Sequence, residues 1–435
     1  MVERFASAIC ECEICLLPPA ILLLVTRPNA LGLVTGLILF FWVARTKTTG
    51  HAIRYSSLNL PLLVLLGAVA YSVTKSLQPW RTLEFLSYLL AGVFTFLVII
   101  NWANCERRLR LVAGGLLAGG ALLALAAPIT VEWMPATKLT ALYFEDIYAH
   151  FRLLIADPIH PNVMAGALAP ILPLCISMLV FGHGPVRLAG RSAWLGRMVG
   201  QLLPALACLL ILVVLVLTKS RGACLGLAFG IGIVLMGRWP PLRLPGLGLG
   251  ALLLAGGGYV LLNRITPGDL LAKGSALSGL DWRFAVWMHV LQALHNSPVS
   301  GLGLGNFQTI METRYAFMVD GAAESIPHAH NLYLQVAADL GLPGLVAYLA
   351  LLLTAVGLNI RMVMRRQQPW LSLGLLGSLT VLMVHGLVDA AQWNTKPSFL
   401  SWAVLGLTAA LYNLETGKRE EEGRYGPGHI ERHDS

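Results

Sequence analysis

The sequence predicts an all-α polytopic membrane protein of about 12 transmembrane helices, with a further helical segment on the outer face between the ninth and tenth. Composition is the first observation: 56% of the 435 residues are hydrophobic and 12% charged. The mean hydropathy of +0.70 is far too apolar for a soluble domain. Span length is the second, because many apolar stretches reach the roughly 17 to 25 residues that a membrane helix needs. The third is an alternation of charge, with lysine and arginine gathering in every second loop.

Taken in order, the expected spans are 14–26, 29–44, 58–74, 82–101, 109–127, 161–182, 200–217, 221–236, 243–262, 341–361, 369–388 and 396–412. The first is short and interrupted by Pro18 and Pro19, so it is expected to pair with the second through the tight link Thr26–Asn29. Glu3, Glu11 and Glu13 precede it and no small-residue cleavage site follows, which argues against a secretory signal. If the N-terminus is cytoplasmic, the loops on that side hold well over half of the 31 basic residues, among them Arg45, Arg107, Arg238, Arg365 and Lys418. Both termini are therefore expected inside. A basic inner face against anionic lipid accounts for the net charge of +9 and needs no nucleic acid. The seven cysteines avoid the long outer segments, so no disulfide framework is expected, and the spacing of Cys10, Cys12 and Cys15 fits no zinc pattern.

This topology divides the chain into residues 1–262, with nine spans and an outer loop at 128–160; an outer segment, 263–340; the last three spans in 341–414; and a charged tail, 415–435, that reads as disordered and cytoplasmic. No internal repeat is apparent. Within the outer segment, a loop rich in Gly, Ser and Pro gives way to Trp282, Ala285, Val286, His289, Val290, Ala293 and Leu294 at helical spacing. Asp281 is the expected N-cap and Pro298 the stop. Such a helix is too polar to span; it suits the membrane interface or a lid.

Outside the membrane there is no ATP or nucleotide sugar, so any synthesis there must use a substrate already activated. The run Gly301–Asn306, GLGLGN, has no strand–turn–helix around it and reads as a backbone turn, not a nucleotide loop. Lys219 and Arg221 share a short outer turn, against the charge bias; they serve either as interface anchors or as donors to an anion at a helix mouth. Arg283, in the first turn of the outer helix, either pairs with Asp281 or awaits an anionic ligand. His328 and His330 are open to three uses: solvated loop residues, a general base, or zinc ligands with His160 and Asp157. No outer cysteine completes a zinc set, and no metal or cofactor is expected. His160 and Asn162 stand at the outer end of the sixth span and Asp389 at that of the eleventh; His385 lies inside the eleventh, where a helix-to-helix hydrogen bond is the plain alternative to function.

Three segments in order, TKSRGACLG, then WRFAVWMHVLQALHNSPVSGLGLGNF, then HAHNLYLQVAADLGLPGL, resemble the O-antigen ligase and polymerase superfamily. Its members are bacterial inner-membrane glycosyltransferases that use undecaprenyl-diphosphate-linked glycans. The likeness covers roughly residues 160–395 by motif, and implies a GT-C-like glycosyltransferase with its active site facing the periplasm. It implies Arg221 and Arg283 as the residues that hold the donor diphosphate, and His330 as the histidine that takes the acceptor's proton or orients the acceptor. Lys219, His328, Asn162 and Asp389 are further candidates for substrate binding. The modest outer segment is more similar to the ligase, whose acceptor is lipid A–core, than to protein oligosaccharyltransferases; the polymerase stays close. From another class, a polysaccharide transporter or flippase would suit twelve spans, but transporters place polar residues near mid-membrane.

Overall fold

The computed structural model describes residues 2–133, 147–148, 150–182, 193–263, 280–319 and 322–425. The expected Gly-, Ser- and Pro-rich loop up to residue 279, residues 134–146 and 149 of the 128–160 outer loop, and the tail beyond 425 lie outside the described residues. All twelve expected spans fall on helices. Eight of these, among the described residues, are long and apolar enough to cross a membrane: Pro28–Thr49, Pro79–Trp102, Glu106–Thr130, Pro161–Phe181, Gly200–Thr218, Arg221–Arg238, Leu332–Met364 and Pro369–Gly386. The chain is an all-α polytopic membrane protein, with one short antiparallel ribbon, Phe317–Val319 against Ala322–Glu324.

Helices α1 (Val2–Thr26) and α2 (Leu31–Thr49) form the expected pair, joined by a 3-10 turn at Pro28–Ala30. They pack through Leu24, Val34 and Ile38 on Ala91 and Phe94 of α4 (Pro79–Trp102). One large core then joins α3 (Asn59–Val73), α4, α5 (Glu106–Thr130), the broken sixth span α6 (Pro161–Leu168) with α7 (Leu172–Phe181), α8 (Ala193–Thr218) and α9 (Arg221–Arg238). Helix α10 (Arg243–Asn263) follows α9. Small residues let helices close on one another where lipid supplies no hydrophobic drive. At one end of the bundle Glu13 meets Arg45 at 2.6 Å, and Lys418 meets Glu106 at 2.8 Å.

The second of these pairs corrects an expectation. The composition of the tail predicts disorder from 415, yet the last helix, α15 (Phe399–Tyr425), runs on to 425. Lys418 bridges Glu106 on α5 and Glu415 one turn back, and Glu106 also accepts from Gln368 at 2.6 Å. These partners hold a sequence that composition alone would leave solvated.

The outer helix α11 begins at Leu280 and ends at Asn296, so Asp281 sits in its first turn instead of capping it. Its Val286, Val290 and Ala293 pack on Phe307, Ile310 and Met311 around α12 (Phe307–Arg314) and on Ala329 and Ala338. It is a lid on the bundle, not a helix floating in the interface. The GLGLGN turn fastens that lid down. Gly301, Gly303 and Gly305 all take positive φ; Asn306 donates to the Lys75 and Leu302 carbonyls and accepts from the Leu77 amide at 2.9 Å. The turn is a structural latch onto the α3–α4 corner.

Helix α13 (Leu332–Met364) is two helices across a break at Gly341, whose φ of 73° and ψ of −177° are not helical. A Cβ there would collide with the Val299 carbonyl, so only glycine permits the approach. The break explains why hydropathy placed the tenth span at 341–361: residues 332–340 belong to the outer layer. Helix α14 (Pro369–Gly386) then returns to the same end of the bundle.

Candidate active site

Five separate stretches of chain meet at that end: the N-termini of α6, α9 and α13, the first turn of α11, and the segment after α14. At their centre is Asp389, only 2% exposed. Its Oδ2 lies 4.0 Å from an Arg283 guanidinium nitrogen, and its Oδ1 lies 3.5 Å from His328 Nε2. Arg283 therefore pairs across the fold; the Asp281 side chain, its other expected partner, lies outside the described residues. Burial works to raise the Asp389 carboxyl, but the hydrogen bond and charge of His328, with His385 and His330 behind it, prevail and hold it below the usual carboxylate range. The carboxylate is ionised and neutralised in place.

His330 stacks against His328 with ring centroids 3.9 Å apart, and its other face meets Trp282 edge-on at 4.8 Å. Its Nδ1 is buried with no hydrogen-bond partner. Burial, then the neighbouring His328, pushes its pKa down to about 3, so the ring is neutral and Nδ1 or Nε2 keeps a lone pair for a ligand. The backbone at His330 has φ of 47°, a left-handed conformation uncommon for a non-glycine residue. The preceding peptide enforces it: Trp287 Nε1 donates to the Ala329 carbonyl at 2.9 Å, and the Ala329 amide donates to Gln335 Oε1 at 2.7 Å. Gln335 in turn donates to buried Asp339 at 3.1 Å, whose other oxygen accepts from Trp393 and Asn394 at 2.8 Å each. One carboxylate thus ties the histidine loop to the loop that carries Asp389.

Asn331 caps α13, accepting from the Tyr333 and Leu334 amides and donating to the Leu387 carbonyl at 2.9 Å. His160 caps α6 by accepting from the Asn162 amide at 3.1 Å; burial lowers its pKa, and it sits close enough to feel the charges of Asp389, His328 and Arg283. Of the sequence-chosen residues, Arg283, His328, His330 and Asp389 come together. Arg221, at the first position of α9, is near enough for its charge to bear on Arg283. Lys219 instead lies over the Tyr148 ring at 5.0 Å, and Asn162 contributes its backbone. His385 bonds Gln392, in the turn after its own helix, at 3.0 Å, where a helix-to-helix bond is the expectation.

Two arginines beside the neutral His330 imidazole can receive a dianion and a hydroxyl together. His328, His330 and Asp389 also offer ligand atoms within 4.8 Å of one another, a spread that a divalent ion could bridge. The Arg283 cation already faces that carboxylate, however, and supplies positive charge at the same place.

Residues 206–349 match the family described as O-antigen ligase. This match supports membership of the O-antigen ligase superfamily. No curated protein matches it. The O-antigen ligase match contains Arg221, Arg283, His328 and His330 but neither Asp389 nor His160. The carboxylate at the centre of the site comes from beyond it. Sequence reasoning also missed Trp282, Trp287, Gln335 and Asp339, which look like ordinary helix positions until the loop they hold is seen. Gln335→Leu is expected to destabilise the fold by about 2 kcal/mol, since it strands the Ala329 N–H and part of Asp339. Measured by denaturation beside a transfer assay, activity should fall further than the loss of folded protein explains.

Proposed function

We propose that the protein transfers O-antigen polysaccharide from undecaprenyl diphosphate to a sugar hydroxyl of lipid A–core on the periplasmic face of the bacterial inner membrane, with both termini cytoplasmic. The observation that carries the reading is the pairing of Arg283 with Asp389 at 4.0 Å beside His330, with Arg221 in electrostatic range. The basic loops at the far end of the bundle support the orientation.

The sugar C1 on a diphosphate is already activated. The acceptor oxygen forms a bond to C1 as the C1–O bond to phosphate breaks, and the electron pair leaves on the diphosphate. Arg221 and Arg283 stabilise that charge with fixed donors. His330 accepts the hydroxyl hydrogen, then passes the proton to water. A retaining route would need a carboxylate nucleophile aimed at C1. Asp389 is the candidate, but it is almost fully buried and both oxygens face cationic or hydrogen-bonding partners, with Ala390 N–H also on Oδ1 at 2.7 Å. Direct displacement with inversion is the better fit.

Deletion of the gene tests the reading: loss of long O-antigen with an intact core supports the ligase. Core bearing a single repeat unit would make it the polymerase, and unflipped carrier on the cytoplasmic side would make it a flippase. Purified protein with lipid-linked glycan and rough lipopolysaccharide should keep its rate in EDTA. A rate lost in EDTA and restored by one divalent ion would convert the His328, His330 and Asp389 cluster into a metal centre.

A further inference from the structure

A cavity of about 710 Å³ opens beside the histidine cluster. One wall is the first turns of α4, which present Trp80, Arg81, Glu84 and Tyr88; the other is formed by residues 157–160 and 395–397. Neither Arg221, Arg283, His328 nor His330 lines it. His160 does, and it is the residue that the cavity shares with the cluster around Asp389.

The wall chemistry differs from that of the arginine side. Arg81 and Lys396 are balanced by Glu84 and Asp157. Lys396 Nζ lies 2.5 Å from Asp157 Oδ2, Tyr88 donates to Glu84 at 2.7 Å, and Arg81 sits over the Phe85 ring at 5.6 Å. Trp80 is 57% exposed, so its indole is available to a ligand. A diphosphate gains little from a wall of zero net charge. A polyhydroxylated ring suits it, because its hydroxyls can bond carboxylate and ammonium alike while its apolar face lies on the indole.

Stereochemistry then separates the two saccharides of a transfer reaction. In a direct displacement the nucleophile reaches C1 from the face opposite the departing oxygen. With the diphosphate at Arg221 and Arg283, the acceptor must arrive from a side of the cluster that those arginines do not line, and the cavity meets the cluster at His160. We propose that this cavity is the acceptor subsite, seating the sugar residues next to the attacking hydroxyl with Trp80 as the stacking face. The inference rests on the glycosyl-transfer reading above.

The test uses the full-length protein in lipid nanodiscs. Its probe is the deacylated core oligosaccharide of a rough lipopolysaccharide, with steady-state transfer from a lipid-linked glycan run in parallel. Trp80→Ala and Lys396→Gln should each weaken oligosaccharide binding and raise the acceptor KM about tenfold, the scale of one lost stacking or charged contact. Donor KM and melting temperature should hold. If Trp80 is only an interface anchor, melting will shift and acceptor KM will not, which overturns the proposal. A rise in donor KM alone also overturns it, by placing the donor glycan in the cavity. Should the wild type transfer no glycan at all, the transferase reading fails by itself. The binding arm still decides the cavity: no wild-type binding, or equal binding by Trp80→Ala, sinks the subsite, and a tenfold loss sustains it.

Discussion

Arg283→Ala is expected to lower kcat/KM for the lipid-linked donor about a thousandfold, the upper range for removing one preorganised donor from a developing oxyanion. The guanidinium is 23% exposed and sits 4.0 Å from a carboxylate that is itself buried, so it is oriented from behind with an edge turned to the site. Its partner has a purpose in this account: Asp389 keeps a cation at the N-terminus of α11, where the helix dipole disfavours one. Arg283→Lys should restore little, because an ammonium keeps the charge but loses the planar fork that matches a phosphate oxygen pair. Arg221→Ala should cost less than Arg283→Ala, and the double variant less than the sum, since both residues act on one leaving group. Loss of Arg283 also leaves Asp389 with His328 as its remaining close ionisable partner, so each variant needs a melting curve. Near-wild-type transfer by Arg283→Ala would remove the diphosphate from this end of the molecule.

Hydropathy placed its twelve expected spans on helices, because lipid imposes length and composition so directly. It misjudged what long-range partners decide. The helix past Leu414 depends on Glu106, more than 300 residues away in sequence, and no local signal announces it. Hydropathy starts the tenth span at Gly341, where the helix breaks; residues 332–340 are helical as well, with Leu332, Val336 and Leu340 in the large core and Ala338 under the lid. At the site, the arginines and His330 were legible only through the order of three weak motifs. His328 and Asp389 stand in the sequence only as further candidates for substrate binding. Folding reverses the weight given to them: both face one another at 3.5 Å, and their pairing spans 61 positions that no spacing rule connects. Gln335 and Asp339 were invisible for a simpler reason. They stand among residues 332–340, just before the expected span, and their service to the Ala329 peptide is a matter of three-dimensional aim.

His330→Ala is expected to abolish measurable transfer, and His328→Ala to reduce it by about ten- to a hundredfold. The order of the two is the point at issue. His328 has the carboxylate that ordinarily marks a general base, whereas His330 has the unpartnered Nδ1, the strained backbone and the Trp282 wall. With a pKa near 3, His330 is a weak base in the resting site; it would hold the acceptor hydroxyl by a hydrogen bond and take its proton late, as negative charge gathers on the adjacent diphosphate. The pH profile separates the cases. Because kcat/KM reports the free enzyme, His330 contributes no acid limb near 6.5, and activity should persist as pH falls below that value until other groups fail. A limb at 6.5 that vanishes in His328→Ala would transfer the role to the His328–Asp389 pair. Stability gives an independent reading of the same shift. The folded value lies below the ordinary 6.5, so the neutral form is what folding favours: His330's contribution is complete above about 6.5 and drains away as pH drops toward 3. Thermal unfolding at pH 7 and pH 5 should therefore show wild type losing more than His330→Gln, a variant that cannot titrate. Equal losses would mean that the imidazole is not buried as described, and the assignment of His330 as the acceptor's partner would fall with it.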